Sequence, residues 1–305
     1  MMTPWTAENI LDQSGRTILV TGANSGLGYV TSLELARRGA RVLMAVRDET
    51  KGRQAAERIR SQVRGARLDV RLLDLADLDQ VKAFARGLLA ERTPIDVLVN
   101  NAGIMMPPRS LTRQGFELQF GVNHLAHFAL TGLLLERLKA GRDPRVITVS
   151  SDLHKRGTIH FDDLDGTRHY GRVAFYAQSK FANVLFGLEL DRRLRSAGLP
   201  IRSILAHPGY SATNLQLSGP TGLLHLFMRI GNRLLAQSAE MGALNLLYAT
   251  TAPDVESGQF IGPDGRNEKK GHPTFVQPVA SARDAELARK LWELSERLTG
   301  VSPTF

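Results

Sequence analysis

The chain has 305 residues, 43% apolar and 23% charged, the composition of an ordinary globular protein long enough for one large domain or two small ones. No stretch reaches the roughly 18 uncharged apolar residues of a membrane span, and Met1 to Ser14 lacks a basic region followed by an apolar core, so a cytoplasmic protein is expected. The absence of cysteine excludes disulfides and zinc-thiolate chemistry. The formal charge of +9 is scattered, with Arg37, Arg38, Arg58, Arg60, Arg192, Arg193 and Arg195 set among acidic residues on helix-like segments. Nucleic-acid binding is therefore not expected, and the excess charge would serve to attract anionic ligands.

In chain order, Thr17 to Thr21 reads as a short apolar strand. Gly26 to Arg38 repeats Leu27, Val30, Leu33 and Leu35 at helical spacing before Gly39 ends it. Arg41 to Val46 and Leu68 to Leu73 are predicted strands separated by a charged helix over about Glu49 to Val63, and a third helix runs from Leu78 to Glu91. Asp96 to Asn100 and Arg145 to Ser150 are further strands, bracketing a long helical stretch from about Gln114 to Leu138. Phe175 to Ala197 is again helical and Pro200 to Ala206 is a sixth strand. Gly258 to Ile261 offers one more, before a final helix at about Ser281 to Leu298. Nearly continuous apolar strands alternating with helices imply an α/β fold: a single doubly wound parallel sheet of Rossmann type with helices on both faces. No linker interrupts the alternation, so one dinucleotide-binding domain over 1–305 is expected.

The first chemical motif is Thr21-Gly22-Ala23-Asn24-Ser25-Gly26-Leu27-Gly28. It leaves the first strand and opens the first helix, where backbone N–H groups and the helix dipole meet a pyrophosphate. Its spacing is Gly-x-x-x-Gly-x-Gly rather than Gly-x-Gly-x-x-Gly. Asn24 and Ser25 would bond phosphate oxygens or hold the turn. After the second strand, Arg47 stands where an acidic residue would meet a free ribose 2′-hydroxyl, and its guanidinium suits a 2′-phosphate. NADP(H) is thus favoured over NAD, the competing reading being a surface ion pair of Arg47 with Asp48. Asp74, with Leu75 beside it, is a candidate neighbour of the adenine.

The second constellation is Tyr176-Ala177-Gln178-Ser179-Lys180. Of the five tyrosines only Tyr176 has lysine four residues on, one helical turn away. A neighbouring ammonium is expected to favour the phenolate and lower the phenol's ordinary value near 10. Ser151 should face the crevice at a strand end, while one of Ser150 and Ser151 only terminates the strand.

These strings, together with Asn100-Asn101-Ala102-Gly103, resemble the short-chain dehydrogenase/reductase family in content and order, over roughly Gly15 to Thr213. The Ala45-Val46-Arg47-Asp48 string and the long interval between Ser151 and Tyr176 are similar to the retinol dehydrogenase and protochlorophyllide reductase branch. The resemblance implies that Tyr176 is the general acid/base, Ser151 bonds the substrate oxygen, and Lys180 lowers the tyrosine and holds the nicotinamide ribose. Asn123, in Gly121-Val122-Asn123-His124, would support a proton-relay water. It also implies that Asn101, Ala102 and Gly103 border the cofactor and that Pro208, Gly209 and Thr213 lie on its nicotinamide side. The expected reaction is hydride transfer between NADPH and the carbonyl, or alcohol, of a lipophilic small molecule.

Residues 215–237 are apolar with scattered basic residues and read as a substrate lid, a core helix or oligomer face, or a membrane-surface helix. A homo-oligomer is compatible with the sequence. Met105, Met106 and Pro107 would line the substrate mouth. His124 and His127 read as helix packing rather than metal ligands, and His207 as structural. The alternatives to an NADP-dependent reductase are a non-enzymatic dinucleotide sensor and a lyase or epimerase that uses bound cofactor transiently.

Overall fold

The structure, a computed structural model, describes residues 4–210 and 237–305. Eight strands form one sheet: β1 (Thr17–Thr21), β2 (Arg41–Val46), β3 (Arg67–Leu72), β4 (Val97–Asn100), β5 (Arg145–Val149), β6 (Arg202–Ala206), β7 (Phe260–Pro263) and β8 (Pro273–Val276). Their order is β3-β2-β1-β4-β5-β6-β7-β8. The first seven run parallel, as expected of a doubly wound sheet, and β8 returns antiparallel on β7 at its edge.

The apolar runs follow from burial on both faces. Ile18 and Val20 of β1, Val42 and Met44 of β2 and Val97 and Val99 of β4 enter one core layer. The alternate residues Leu19, Leu43 and Leu98 enter the other. The first layer is covered by α1 (Gly26–Arg37), α2 (Glu49–Gln62) and α6 (Ala239–Thr251), a helix that the sequence reading did not identify. The second is covered by α3 (Leu78–Glu91), α4 (Ala126–Lys139) and α5 (Arg172–Ser196). Over α4 and α5 lies α7 (Ala285–Thr299), whose Trp292 sits 4.9 Å from Phe128 and 5.9 Å from Phe186, ring centre to ring centre.

The stretch expected to be one helix from Gln114 is more broken. Gly115 adopts φ +85°, Leu111 bridges to Glu117, and the Glu117 carboxylate accepts the Phe120 N–H. A helical turn at Leu118–Phe120 and a π turn at Gly121–Leu125 then lead into α4. The π turn carries Asn123. Strand order reverses at β1 and β4, and in such sheets ligands bind in the crevice beyond the strand ends at this point.

Candidate active site

The crevice is a cleft of about 310 Å³ at the C-terminal ends of β1, β2 and β4. Gly22, Asn24, Ser25, Gly26, Leu27 and Gly28 line its middle, Arg47, Asp74 and Leu75 one end, and Asn101, Ala102 and Gly103 the other, joined by Ile104, Leu118 and Val122. The glycine turn and the strand-four loop interlock. Thr21 Oγ1 accepts the Asn101 and Ala102 N–H groups, both at 2.9 Å, and the Thr21 carbonyl accepts Asn101 Nδ2 at 2.7 Å. A Cβ on Gly28 would overlap the Gly22 carbonyl oxygen and stand 2.6 Å from Asn101 Nδ2, so only glycine permits this approach.

The helix ends around the cleft differ in a way that bears on anion binding. Asp48 caps α2 by accepting the Lys51 N–H, and Asp77 caps α3 by accepting the Asp79 N–H. Ser25, at the same position of α1, makes no such bond, so the first-turn amides of α1 are left to the cleft. Asp48 also pairs with Lys51 at 3.3 Å, and among the described residues no carboxylate lies at ion-pair distance from Arg47. The Arg47–Asp48 pair entertained from the sequence is not formed. Asp74 Oδ1 accepts the Ala76 N–H at 2.9 Å, which fixes the loop at that end.

Beyond Gly103 lie Asn123 and Lys180. The position of a Cβ on Gly103 is 3.1 Å from Asn123 Oδ1 and 3.6 Å from Lys180 Nζ, so this glycine separates the cleft from both side chains. Asn123 is buried, accepts the Ile104 N–H at 2.8 Å and donates to the Ile104 carbonyl and to Ser179 Oγ. Ser150 donates to the Lys180 carbonyl and ties the strand end to α5, whereas Ser151 Oγ accepts the Leu153 N–H at 3.3 Å and is near enough to the Tyr176 phenol to favour its ionised form. The two serines are thereby told apart.

The electrostatics depart from the expectation that Lys180 lowers the Tyr176 phenol. Burial pushes Tyr176 up to about 12, with only the Ser151 bond opposing it, and burial alone brings Lys180 down to about 8. The reason is geometric: Lys180 Nζ donates to the Val149 carbonyl at 3.1 Å and stands 5.8 Å from the centre of the tyrosine ring.

Pro208 and Gly209 follow β6. The Pro208 carbonyl accepts Gln237 Nε2 at 2.6 Å, and the Gly209 N–H donates to His207 Nδ1 at 3.3 Å. Thr213 and all of the 215–237 segment except Gln237 lie outside the described residues. Sequence reasoning missed Glu268, whose carboxylate accepts His207 Nε2 at 3.2 Å and Lys155 Nζ at 2.9 Å and so anchors the Pro208–Gly209 segment from across the chain. No local motif signals so distant a pairing. His127, expected to pack within its helix, is buried there with both ring nitrogens hydrogen-bonded.

The family profile described as short chain dehydrogenase matches residues 16–219, which spans both the glycine turn and the Tyr176 helix. The chain belongs to the short-chain dehydrogenase family. As such it is an oxidoreductase of small molecules, in a family that binds NAD(P). It is 42% identical to retinol dehydrogenase 13 of Homo sapiens over 293 residues, covering 94% of this chain and 85% of that protein. It is also 42% identical to polyprenol dehydrogenase of Mus musculus over 295 residues, covering 95% and 85%. The solved structure of an uncharacterized protein from Mycobacterium paratuberculosis superposes with a TM-score of 0.84 at 45% identity, covering 99% of this short-chain dehydrogenase and 100% of that chain.

Proposed function

We propose that this short-chain dehydrogenase transfers hydride between NADP(H) and the carbonyl or alcohol of a lipophilic small molecule, acting in the cytoplasm as a single catalytic domain. The observation that carries the reading is a buried Tyr176 phenol one helical turn from a buried Lys180, whose ammonium and the Asn123 amide stand against Gly103 on the wall of the glycine-lined cleft. The cleft fits a dinucleotide, because the α1 amides take no side-chain cap and the close approach at Gly28 leaves no room for a Cβ.

Gly22, Asn24, Ser25, Gly26, Leu27 and Gly28 would hold the pyrophosphate, Asp74 and Leu75 the adenine, and Arg47 the ribose 2′-phosphate. The last assignment separates NADP from NAD and is supported by the lack of a carboxylate partner for Arg47 among the described residues. Asn101, Ala102 and Gly103 would wall the nicotinamide half, with Pro208, Gly209 and Thr213 opposite. When bound, the reduced nucleotide supplies the hydride. Ser151 and Tyr176 hold the carbonyl oxygen, and Tyr176 gives its proton to the forming alkoxide. A phenol pushed up to about 12 is fully protonated at neutral pH, as a general acid must be. Lys180, brought down to about 8 but still largely cationic at pH 7, would bind the ribose, while Asn123 would support proton return. The lipophilic substrate is supported by the names of the relatives and by the apolar Met105, Met106 and Pro107, which follow the cleft-lining Ile104 in sequence.

The test follows NADPH and NADH absorbance with medium- and long-chain aldehydes, conjugated polyene aldehydes and the matching alcohols. NADPH-dependent turnover exceeding that with NADH by about tenfold or more is expected, a preference of about 1.4 kcal/mol. Nucleotide binding without turnover of any carbonyl or alcohol would overturn the reading in favour of a sensor.

A further inference from the structure

His127 lies four residues after Asn123, at the start of α4, and is 1% exposed. Each ring nitrogen has a partner: Nδ1 is 3.1 Å from the Asn123 carbonyl oxygen and Nε2 is 3.0 Å from the Thr21 hydroxyl. A carbonyl only accepts, so Nδ1 carries a proton. Burial, with the Lys180 cation nearby, holds His127 down to about 4, so the ring is neutral and Nε2 is bare. The bare nitrogen then takes the Thr21 hydroxyl proton, for which the Val99 carbonyl competes from a longer 3.3 Å.

This arrangement satisfies the hydroxyl completely. Its one proton goes to Nε2 and its two acceptor positions take the Asn101 and Ala102 N–H groups. The opposite tautomer would aim three donors at Thr21 Oγ1 and set a bare Nδ1 against a carbonyl oxygen. Hydrogen bonds therefore run without a break from the backbone of Asn123, through the imidazole, to the hydroxyl that fastens the strand-four loop to the glycine turn. We propose that His127 is a positioning residue, a neutral Nδ1–H imidazole that couples the Asn123 carbonyl to the nucleotide cradle and so sets both nucleotide grip and turnover. This inference rests on the hydride-transfer reading for its kinetic part and on hydrogen-bond geometry and burial for its tautomer.

The experiment has two arms on the full chain. Long-range nitrogen–proton correlation with labelled histidine, assigned on the parent protein through the backbone and side-chain resonances of His127, should show a protonated Nδ1 and a bare Nε2 that do not titrate between about pH 6 and pH 9. A protonated Nε2, or titration in that range, overturns the proposal even if every variant fails to fold. The second arm compares His127→Asn, whose amide reaches the Asn123 carbonyl but not Thr21, with His127→Gln, whose longer amide reaches Thr21 instead. His127→Asn should weaken NADPH binding about tenfold with a smaller change in kcat, His127→Gln should lower kcat about tenfold with a smaller change in Kd, and His127→Leu should do both. Parallel losses in all three folded variants, or no loss, overturn the coupling. Because NADPH affinity is read by direct fluorescence titration, a parent protein that binds NADPH but reduces nothing fails the functional reading while the tautomer and affinity series still test His127.

Discussion

On the proposed reading, Gly28 and Arg47 decide what the cleft can hold. A methyl group on Gly28 collides with backbone at Gly22 rather than with a flexible side chain, so the turn itself must shift. Gly28→Ala should weaken NADPH binding at least about tenfold and cost about 1–3 kcal/mol of stability, read by fluorescence titration and urea unfolding. Arg47→Ala should raise the KM for NADPH about tenfold and leave that for NADH nearly unchanged, because only the 2′-phosphate is lost to it. At this scale the sequence was most informative where chemistry demands a residue type at fixed spacing, as in the glycine turn or the Tyr176–Lys180 turn. The electrostatics were not legible: whether an ammonium or burial dominates a phenol depends on where Nζ points, and here it points to the Val149 carbonyl. The choice between Ser150 and Ser151 was hidden for the same reason, since neighbouring strand-end hydroxyls differ only in direction.

The elements that complete the site are held by contacts distant in sequence. Asn267 and Glu268 both adopt φ +55°, a conformation that costs non-glycine residues roughly 1 kcal/mol or more, and the Glu268 carboxylate is gripped by His207 and Lys155. Those partners, His207 first, hold Glu268 down to about 2, below its ordinary value of 4.5. A depressed carboxylate contributes stability fully above its unfolded value and loses it as pH falls through the folded one. Glu268→Gln should therefore cost about 1–2 kcal/mol at pH 7, discounted for partial exposure, and the gap to the parent should close between about pH 5 and pH 2 in chemical unfolding. α7 makes the complementary case for packing. Trp292 is 2% exposed among Phe128, Phe186 and Phe305, with the Arg193 guanidinium 4.4 Å from its ring centre. Trp292→Ala should cost about 3–5 kcal/mol by thermal or urea unfolding. The sequence predicted the existence of α7 from its periodicity. It did not predict the interruption before Asn123, because a π turn keeps helical composition and changes only the bonding pattern.

For the whole molecule, strand alternation in the sequence implied the sheet, its Rossmann class and the crevice at its switch point, all of which the structure bears out. The antiparallel β8 was missed because Pro273 to Val276 is a short edge strand with half-exposed Phe275, and no alternating pattern marks it. α6 was missed because it is buried on nearly all sides, so its apolar residues show no single stripe. Among the described residues no helix is long and apolar enough to cross a membrane. The architecture brings Ser151 from the end of β5, Asn123 from the π turn and Tyr176 and Lys180 from α5 to one place beside the cleft. The most direct measurement of whether this meeting is an active site is Tyr176→Phe, with NADPH affinity and carbonyl reduction measured on the same preparation. Affinity within about threefold of the parent is expected, with turnover reduced at least about a hundredfold, the usual contribution of a general acid. Turnover at the parental rate in a variant lacking the phenol oxygen would contradict that role.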